Sequence, residues 1–345
     1  MPTPVIDWDA RIGRRVKLRD LQILRAVVRW GSMARAATHL GMSQPSVSEA
    51  MRTLEDALGV RLLDRSSRGI EATLYARALL KRADVVFDEL KQGIRDIEFL
   101  ANPTAGDVTI GCPESLAAGF VPAVVDLLSR RYPELAVHVV LAQPGEQEFR
   151  ELRERSVDLL LGRLFKPVTE DDIVVDPLCD DEFFVVASAR TAWARRRRIS
   201  LARLMNEPWI LFPAASLSGT YIEAGFRARG LPLPSRRLTS FSMQLRFHLL
   251  ATGRFLTVLH NSVLQFNARR WALKALATDL TVPPMPIALF SLKNRTLSPV
   301  VQLFVDQAKD VARSMPTAAA YATGPPGRAP PREPGSAKPL LPGLR

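Results

Sequence analysis

The sequence predicts an α/β protein whose N-terminal part is mostly helical and whose larger C-terminal part mixes strands and helices. Residues 17–73 contain short helical stretches with tight connections, and a longer helical stretch covers residues 74–100. The segment NPTAG at residues 102–106 ends that helix, because Pro and Gly interrupt helices. Strand-like and helix-like stretches then alternate, a pattern typical of α/β architectures with largely parallel sheets.

Positive charge is distributed unevenly along the chain. The 345 residues carry a formal net charge of +12. Residues 11–77 hold 13 Lys or Arg against 6 Asp or Glu, a net +7. Such an excess favours a polyanionic partner for that segment. The hydrophobic content of 47% and the charged content of 24% are otherwise ordinary for a globular protein.

Simple patterns disfavour several classes of protein. Two cysteines, Cys112 and Cys179, are too few for a disulfide framework or a structural zinc site. The N-terminus lacks the apolar stretch of a signal peptide, and no apolar run is long enough to predict a membrane span. The histidines are scattered, and no phosphate loop, nucleophile elbow or paired-carboxylate motif occurs. We therefore expect a cytoplasmic protein that is not an enzyme and holds no cofactor or metal.

Residues 17–58 contain a helix-turn-helix pattern. Ser32 is positioned to cap the second helix, MARAATHL, and Gly41 to end it. Ser43 is positioned to cap the third helix, with Pro45 in its first turn, where a missing N–H costs little. Small residues in the second helix allow the close packing of this motif. The third helix places four apolar residues on one edge: Val47, Met51, Leu54 and Leu58.

The opposite side of the third helix is polar, and a basic segment follows the helix. Gln pairs with adenine, Arg with guanine, and Ser with bases or phosphates, so this side is suited to a DNA major groove. The tip RSSRG at residues 65–69 is suited to phosphate contacts. The alternative is an ordinary amphipathic helix with a solvated polar face. The predicted DNA-binding residues are Ser32, Arg35, Ser43, Gln44, Pro45, Ser46, Ser48, Glu49, Arg52, Arg65 and Arg68.

Residues 16–73 resemble the winged helix-turn-helix domain of LysR-type transcriptional regulators. The matching stretch is GSMARAATHLGMSQPSVSEAMRTLEDALGVRLLDRSSRGIEAT, with Gly-Ser, Ala-Ala, Ser-Gln-Pro, Leu-Glu and Leu-Gly in the family's order. The resemblance continues more weakly to about residue 315. Two positions depart from the pattern. Glu49 stands where a basic or neutral polar residue is usual, and TLYARALL replaces the family's Thr-Glu-Ala-Gly helix start.

The resemblance implies a linker helix over residues 74–101 that pairs two subunits. Apolar or small residues recur there at steps of three and four, which approximates a heptad seam and requires a partner helix. A two-fold axis would present two third helices to a partial palindrome. The alternative is packing of the seam against the chain's own domain. The seam residues are Leu79, Ala83, Val86, Leu90, Ile94 and Ile97.

The resemblance also implies an effector-binding domain over residues 107–315, similar to periplasmic binding proteins. We expect a first lobe at about 107–163 and 268–315, a second at 164–267, and VDLLLGRL as the first crossing strand. Ligands of such sheets lie at the carboxyl ends of strands, near helix starts that suit anions. The alternative for each candidate is a helix cap or a solvated loop residue. The candidates are Pro113, Glu114, Ser115, Gln143, Arg163, Ser216, Thr220, Ser240 and Ser242.

Glu114 and the nearby Cys112 each have two interpretations. Glu114 would repel an anionic effector unless its carboxylate points outward or Arg163 offsets it. Cys112 has the position of a redox sensor, although an inert buried thiol is the simpler interpretation. The run of four arginines at residues 195–198 is interpreted as a solvated helical surface. Residues 322–345, of which 11 are Pro or Gly, predict a disordered tail.

These features predict a transcription factor that binds double-stranded promoter DNA as a homodimer or homotetramer and responds to a small-molecule effector. RNA polymerase is a further candidate partner, and DNA binding would place the protein on the nucleoid. The segments GRL and LKNRTLSP are similar to those of regulators of aromatic-acid or sugar catabolism. The competing hypothesis is a solute-binding or small-molecule-processing protein with a vestigial DNA module.

Overall fold

Two compact units make up the chain, Met1–Ala101 and Asn102–Arg345. The computed structural model describes residues 12, 14–66, 69–144 and 148–315. The predicted tail at 322–345 lies outside the described residues, as does Arg68. No described helix combines the length and the apolar character that crossing a membrane requires.

The first unit contains the predicted short helices and a small hairpin. Ser32 Oγ accepts a hydrogen bond from the Arg35 backbone N–H, and Ser43 Oγ accepts one from the Ser46 N–H, at 3.4 and 3.2 Å. Gly41 ends the second helix with a φ of 63°, a left-handed conformation that glycine adopts without strain. The elements are α1 (Leu18–Trp30), α2 (Met33–Leu40), α3 (Gln44–Leu58), β1 (Leu63–Ser66), β2 (Gly69–Ala72) and α4 (Leu74–Ala101).

The core of this unit lies between α1, α2 and α3. Val47, Met51 and Leu54 are buried on one edge of α3, as the spacing predicts. Ala57 is buried near the end of this edge, whereas Leu58 is only half-buried. Ala36 on α2 is fully buried, and its small side chain lets the helices approach closely. This packing fixes which side of α3 faces solvent.

The hairpin of β1 and β2 is antiparallel and is attached to the helices by backbone hydrogen bonds. The Ile70 N–H donates to the carbonyl of Gly31 at 3.0 Å, and the Thr73 N–H donates to the carbonyl of Leu62 at 3.0 Å. After Thr73, α4 continues without a break for 28 residues. Its predicted seam is buried at Ala83, but the side chains of four later seam residues are 42–68% exposed: Val86, Leu90, Ile94 and Ile97.

Two five-stranded sheets form the second unit. The first has the order β4-β3-β5-β12-β6 and the second the order β11-β7-β10-β8-β9. The strands are β3 (Ala105–Cys112), β4 (Glu134–Leu141), β5 (Leu159–Arg163), β6 (Ile173–Asp181), β7 (Phe183–Ser188), β8 (Trp209–Leu211), β9 (Arg237–Thr239), β10 (Leu256–His260), β11 (Leu273–Leu276) and β12 (Met285–Leu292).

Helices connect most of these strands and cover the two sheets. Tertiary packing on the first sheet is completed by the last helix, which buries Val301, Phe304 and Ala308. The helices are α5 (Glu114–Ala117), α6 (Phe120–Arg131), α7 (Arg150–Arg153), α8 (Leu217–Arg227), α9 (Met243–Ala251), α10 (Asn261–Asn267) and α11 (Pro299–Ser314). Short 3₁₀ turns lie at Trp193–Arg195 and Leu201–Leu204, so only Arg195 of the arginine run is helical.

The strand pairings correct two expectations. Each sheet has two parallel and two antiparallel pairings, so the sheets are mixed rather than largely parallel. The expected lobe boundaries at 163/164 and 267/268 are also wrong. The chain leaves the first sheet after β6 and returns at β12, and β5 lies inside that sheet instead of crossing between lobes.

The boundary error has its origin in β6, which the sequence pattern did not reveal. This edge strand contains Pro177 and polar residues, and its register against β12 shifts next to Pro177. Pro lacks the N–H that a sheet ladder needs, so it is confined to edges and bulges such as this one. The strand therefore belongs to the first lobe, and residues 182–284 form the second.

Candidate functional site

The polar side of α3 is a continuous exposed surface. Gln44, Glu49 and Arg52 are exposed, and Ser48 is half-buried. Gln44, Ser48 and Arg52 are four residues apart along the helix, a spacing that places their side chains on one face. Arg35, on α2, is also exposed. The first unit thus presents amide, hydroxyl and guanidinium groups on a helix whose opposite edge is locked into the core.

The start of α3 is rigidly defined. Ser43 and Ser46 hydroxyls lie 2.8 Å apart within hydrogen-bonding distance, in addition to the cap that Ser43 provides. Pro45 occupies the first turn. Ser32 has the same capping role at α2. These four predicted residues orient the two helices, and their side chains are partly committed to that role.

Glu55 positions the hairpin after α3, a role that sequence reasoning missed. Its Oε1 accepts hydrogen bonds from the backbone N–H groups of Leu62 and Leu63, at 2.6 and 3.2 Å. Thr73 Oγ1 donates to the carbonyl of Arg61 at 2.9 Å from the other strand of the hairpin. The hairpin is therefore fixed to the end of α3. The Leu-Glu pair was visible in the sequence, but its partner N–H groups lie beyond the helix end.

A cleft lies between the lobes of the second unit. The first lobe contributes five of the predicted effector residues: Pro113, Glu114, Ser115, Gln143 and Arg163. The second lobe contributes Ser218 and three side chains that sequence reasoning did not select, Phe212, Leu217 and Phe241. Phe165 also lines the cleft. Polar groups from one lobe thus face largely apolar groups from the other.

The other four predicted residues have structural roles beside the cleft. Ser216 Oγ accepts from the Gly219 N–H at 3.1 Å and caps α8, and Thr220 Oγ1 donates to the carbonyl of Ser216 at 3.0 Å. Ser242 Oγ accepts from the Leu245 N–H at 3.3 Å and caps α9. Ser240 Oγ accepts from the Ser242 N–H at 3.0 Å. Their side chains hold helix starts and loops that adjoin the cleft.

Arg163 is the centre of a buried polar network. Its Nε donates to Asp181 Oδ2 at 2.8 Å, its Nη1 to Ser115 Oγ at 2.8 Å, and its Nη2 to Ser262 Oγ at 3.0 Å. Ser262 also donates its N–H and its hydroxyl to Asp181. Burial lowers the pKa of Arg163, whereas the Asp181 carboxylate raises it. The charge of Arg163 is therefore already balanced inside the protein.

Glu114 links the two lobes directly. Its Oε1 accepts a hydrogen bond of 2.7 Å from the backbone N–H of Met243, the first residue of α9. A carboxylate at a helix N-terminus is favourably placed in the field of the helix dipole. The carboxylate thus neither points outward nor pairs with Arg163. It occupies a position that we expected an anionic ligand to take.

Arg246 and His260 are buried behind the cleft. Arg246 donates to the carbonyls of Ile210 and Ser240, both at 2.7 Å, and stacks over the Phe212 ring. Burial lowers the pKa of Arg246 to about 10, against the opposing effect of Glu114. His260 packs against Phe212, and burial lowers its pKa well below the usual value, with Arg163 and Arg246 acting in the same direction.

Two family models match this chain. The model described as "LysR substrate binding domain" matches residues 101–313, and "Bacterial regulatory helix-turn-helix protein, lysR family" matches residues 18–77. The chain belongs to the LysR family of transcriptional regulators. The second match covers the unit that presents α3, and the first covers the two lobes that enclose the cleft. The predicted family and the predicted α/β fold class are both confirmed.

Individual LysR family proteins are similar over most of their length. GbpR from Azospirillum brasilense is 29% identical over 286 residues, which cover 83% of each chain. TdcA from Escherichia coli K12 is 26% identical over 298 residues, covering 85% of this chain and 93% of TdcA. The structure of full-length OxyR from Pseudomonas aeruginosa matches with a TM-score of 0.59 at 20% identity, covering 87% of this chain and 95% of that one. The last match supports the fold alone.

Proposed function

We propose that this LysR family regulator binds double-stranded promoter DNA in a sequence-specific manner through α3. The observation that carries the proposal is the exposed face of Gln44, Ser48 and Arg52 on a helix whose other edge is buried. Amide and guanidinium groups of this kind make bidentate hydrogen bonds to adenine and guanine in the major groove. Arg35 and the hairpin after α3 supply phosphate contacts, which position the helix without selecting sequence. Arg65 has a described backbone only, and Arg68 lies outside the described residues.

The proposed regulator acts as a homodimer or homotetramer. The exposed apolar side chains of Val86, Leu90, Ile94 and Ile97 lie on one side of α4 at helical spacing. Pairing of α4 with its copy would remove this side from water, and burial of apolar area stabilises association by about 25 cal/mol per Å². A two-fold axis then matches two α3 helices to a partially palindromic operator. RNA polymerase is a further proposed partner at the promoter, where binding places the protein on the nucleoid.

A small-molecule effector in the interlobe cleft is proposed to control DNA binding. The effector must bind two arrangements of the protein with different affinity, since a ligand shifts an equilibrium only through that difference. The cleft is suited to this because Glu114 and Met243 join its two lobes. Phe165, Phe212 and Phe241 line the cleft, and an aromatic lining suits a planar or sugar-like molecule, in line with the proposed aromatic acid or sugar.

Regulation of transcription, and not catalysis, is the activity proposed for the chain. The family models and the relatives describe transcriptional regulators. A solute-binding or processing protein with a vestigial DNA module would not need the ordered caps and exposed polar face of α3. The two hypotheses differ in the salt dependence of DNA binding, which is steep when several phosphates are contacted.

Base preference tests the proposed role of α3. Selection from a pool of random duplexes with the wild-type chain defines the preferred sequence. Arg52→Ala and Gln44→Ala should each relax preference at one position per half-site, at a cost of about 1–3 kcal/mol on the preferred sequence. The matched control is Arg61→Ala, an exposed arginine outside α3. An equal loss on all sequences would remove either residue from base recognition.

A further inference from the structure

The second lobe carries most of the protein's excess positive charge. Residues 182–284 contain 15 Lys or Arg and 4 Asp or Glu, a net +11, whereas the whole chain has +12. Fourteen of these fifteen basic residues are exposed, and the buried one is Arg246. Fourteen of the fifteen are arginines. The proposed function of α3 and of the cleft uses none of the exposed ones.

The order and direction of the strands β7 to β11 place many of these arginines at one edge of the second-lobe sheet. Strands β8, β9 and β10 are parallel, and β11 has the same direction because both β10 and β11 pair antiparallel with β7. The first residues of these four strands and the last residue of β7 therefore lie along one edge of the sheet, meaning the edge that runs across the strand ends. Phe212 and Phe241, which line the cleft, follow the opposite ends of β8 and β9. The edge in question faces away from the cleft.

Exposed arginines flank almost every strand at this edge, and we name this set the basic pole. The sheet has five strands, so the edge is about 19 Å wide at ~4.8 Å per strand spacing. One carboxylate, Glu207, precedes β8 at the same edge and is half-buried. The basic pole consists of Arg190 after β7, Arg236 and Arg237 at the start of β9, Arg254 before β10, and Arg269 and Arg270 before β11.

In the basic pole, Arg236 Nη1 donates to the carbonyl of Asn206 at 3.3 Å, and Arg237 Nη1 donates to that of Pro234 at 2.8 Å. A guanidinium has five N–H donors, so one such bond leaves the others for an anion. Within the described residues, none of the six lies within ion-pair distance of a carboxylate.

Arg254 and Arg270 stack on the neighbouring rings of Phe255 and Trp271, at 5.8 and 6.0 Å from the ring centroids. Stacking uses the face of a guanidinium and leaves its N–H edge for a phosphate or carboxylate. Residues 195–198 add four exposed arginines beside the turn that packs on β7 and β11.

We propose that the basic pole binds the phosphate backbone of duplex DNA. The inference rests on the proposed function, because promoter binding brings a duplex to the protein. Arg forms bidentate hydrogen bonds to phosphate, and B-DNA presents a charge every ~1.7 Å along its axis. A protein partner would need an apolar interface core. Among the described residues of the pole's segments, 189–198, 235–238, 252–255 and 268–272, Leu238 is the one large exposed apolar side chain, at 39% exposure, which is too little for such a core.

Neutralisation of the pole in the full-length chain tests this assignment. The test variant is Arg254→Gln/Arg269→Gln/Arg270→Gln, and the matched control is Arg130→Gln/Arg131→Gln/Arg150→Gln, three exposed arginines of the first lobe. Both remove three positive charges, and both should keep the wild-type melting temperature because the side chains are exposed. Binding to a 40-base-pair duplex of random sequence is measured by fluorescence anisotropy over a range of KCl concentrations.

The slope of log K against log salt is the decisive quantity. It should become shallower by about 2 to 3 in the test variant, since each lost phosphate contact contributes ~0.9. The control should retain the wild-type slope. The same difference should persist when both triple variants also carry Gln44→Ala/Arg52→Ala, which separates the basic pole from α3. Absence of any sequence preference in the wild-type chain, with the slope difference intact, would contradict the proposed function but support the pole.

Equal slopes in the test and control variants would overturn the assignment. An unchanged slope together with loss of transcription from a reconstituted promoter would also overturn it, and would indicate that the arginines contact an acidic protein instead. Hydroxyl-radical footprints give an independent measure. The protected region should be shorter in the test variant than in the control, and identical footprints would count against the proposal.

Discussion

Arg163 and Asp181 form a buried ion pair, with Nε and Oδ2 2.8 Å apart and both side chains at most 3% exposed. Ser115 and Ser262 accept further hydrogen bonds from the Arg163 guanidinium. Asp181 is the last residue of β6, the point at which the chain leaves the first lobe. The pair therefore fixes, at the base of the cleft, the point where the chain crosses from the first lobe to the second.

Asp181→Asn should strongly destabilise the second unit. The substitution leaves a buried guanidinium without its counter-charge, and breaking such a pair typically costs about 3–5 kcal/mol. The matched control is Asp176→Asn, which breaks the more exposed pair with Lys309 and should cost less than about 1 kcal/mol. Urea unfolding monitored by tryptophan fluorescence compares the two. Equal losses would show that Asp181 contributes no more than a surface pair.

Glu114→Ala should loosen the link between the lobes. Loss of a hydrogen bond between a carboxylate and a backbone N–H costs about 1.5–3 kcal/mol, here at the lower end because Glu114 is only half-buried. The direct readout is the amide resonance of Met243 in protein labelled with ¹⁵N only at its eight methionines. It should shift upfield in Glu114→Ala and stay in place in the surface control Glu154→Ala. An unmoved Met243 resonance would exclude the interlobe hydrogen bond in solution.

Both cysteines should be unreactive in the folded protein. Burial raises the pKa of Cys112 and that of Cys179 to about 12. At pH 8 only about one thiol in ten thousand is then ionised, and the thiolate is the reactive form. A disulfide-exchange reagent should modify neither thiol of the native chain within minutes, and both after unfolding in urea. Rapid modification of Cys112 in the native protein would restore the redox-sensor interpretation.

His260 should make the stability of the protein depend on pH. Its folded pKa lies below the unfolded value near 6.5, so the folded state binds fewer protons in acid. The stability that depends on a neutral His260 is fully present above pH 6.5. It is lost as the pH falls below 6.5, by up to about 1.4 kcal/mol per pH unit. Urea unfolding between pH 8 and 5 should show a smaller decline in His260→Phe than in wild type. The exposed His138→Asn is the control, and equal declines in all three proteins would contradict the expectation.

Local features of the fold were predictable from the sequence, because they depend on neighbouring residues. Ser43 caps α3 through an N–H only three residues away, and the burial of Val47 follows from helix spacing. The residues that build the cleft were only partly predictable. Arg163 could be placed at a strand end, but its partner Asp181 depends on the pairing of β6, a strand whose Pro and polar residues hide it.

Local sequence patterns could not predict the contacts between distant segments of the chain. Glu114 and Met243 are 129 residues apart, and no periodicity links them. The aromatic side of the cleft depends on which lobe β7 to β11 belong to, so Phe212 and Phe241 were missed. The basic pole likewise required the strand order, because its arginines come from four separate segments.

The central claim is that α3 recognises a specific DNA sequence. Footprinting of the full-length protein on the DNA upstream of its own gene, with a salt titration, tests it most directly. The expected result is a protected region centred on a partial dyad, with an affinity that falls steeply as the salt concentration rises. Arg52→Ala should relax the base preference at one position per half-site. Uniform, sequence-independent protection at every salt concentration would contradict the claim.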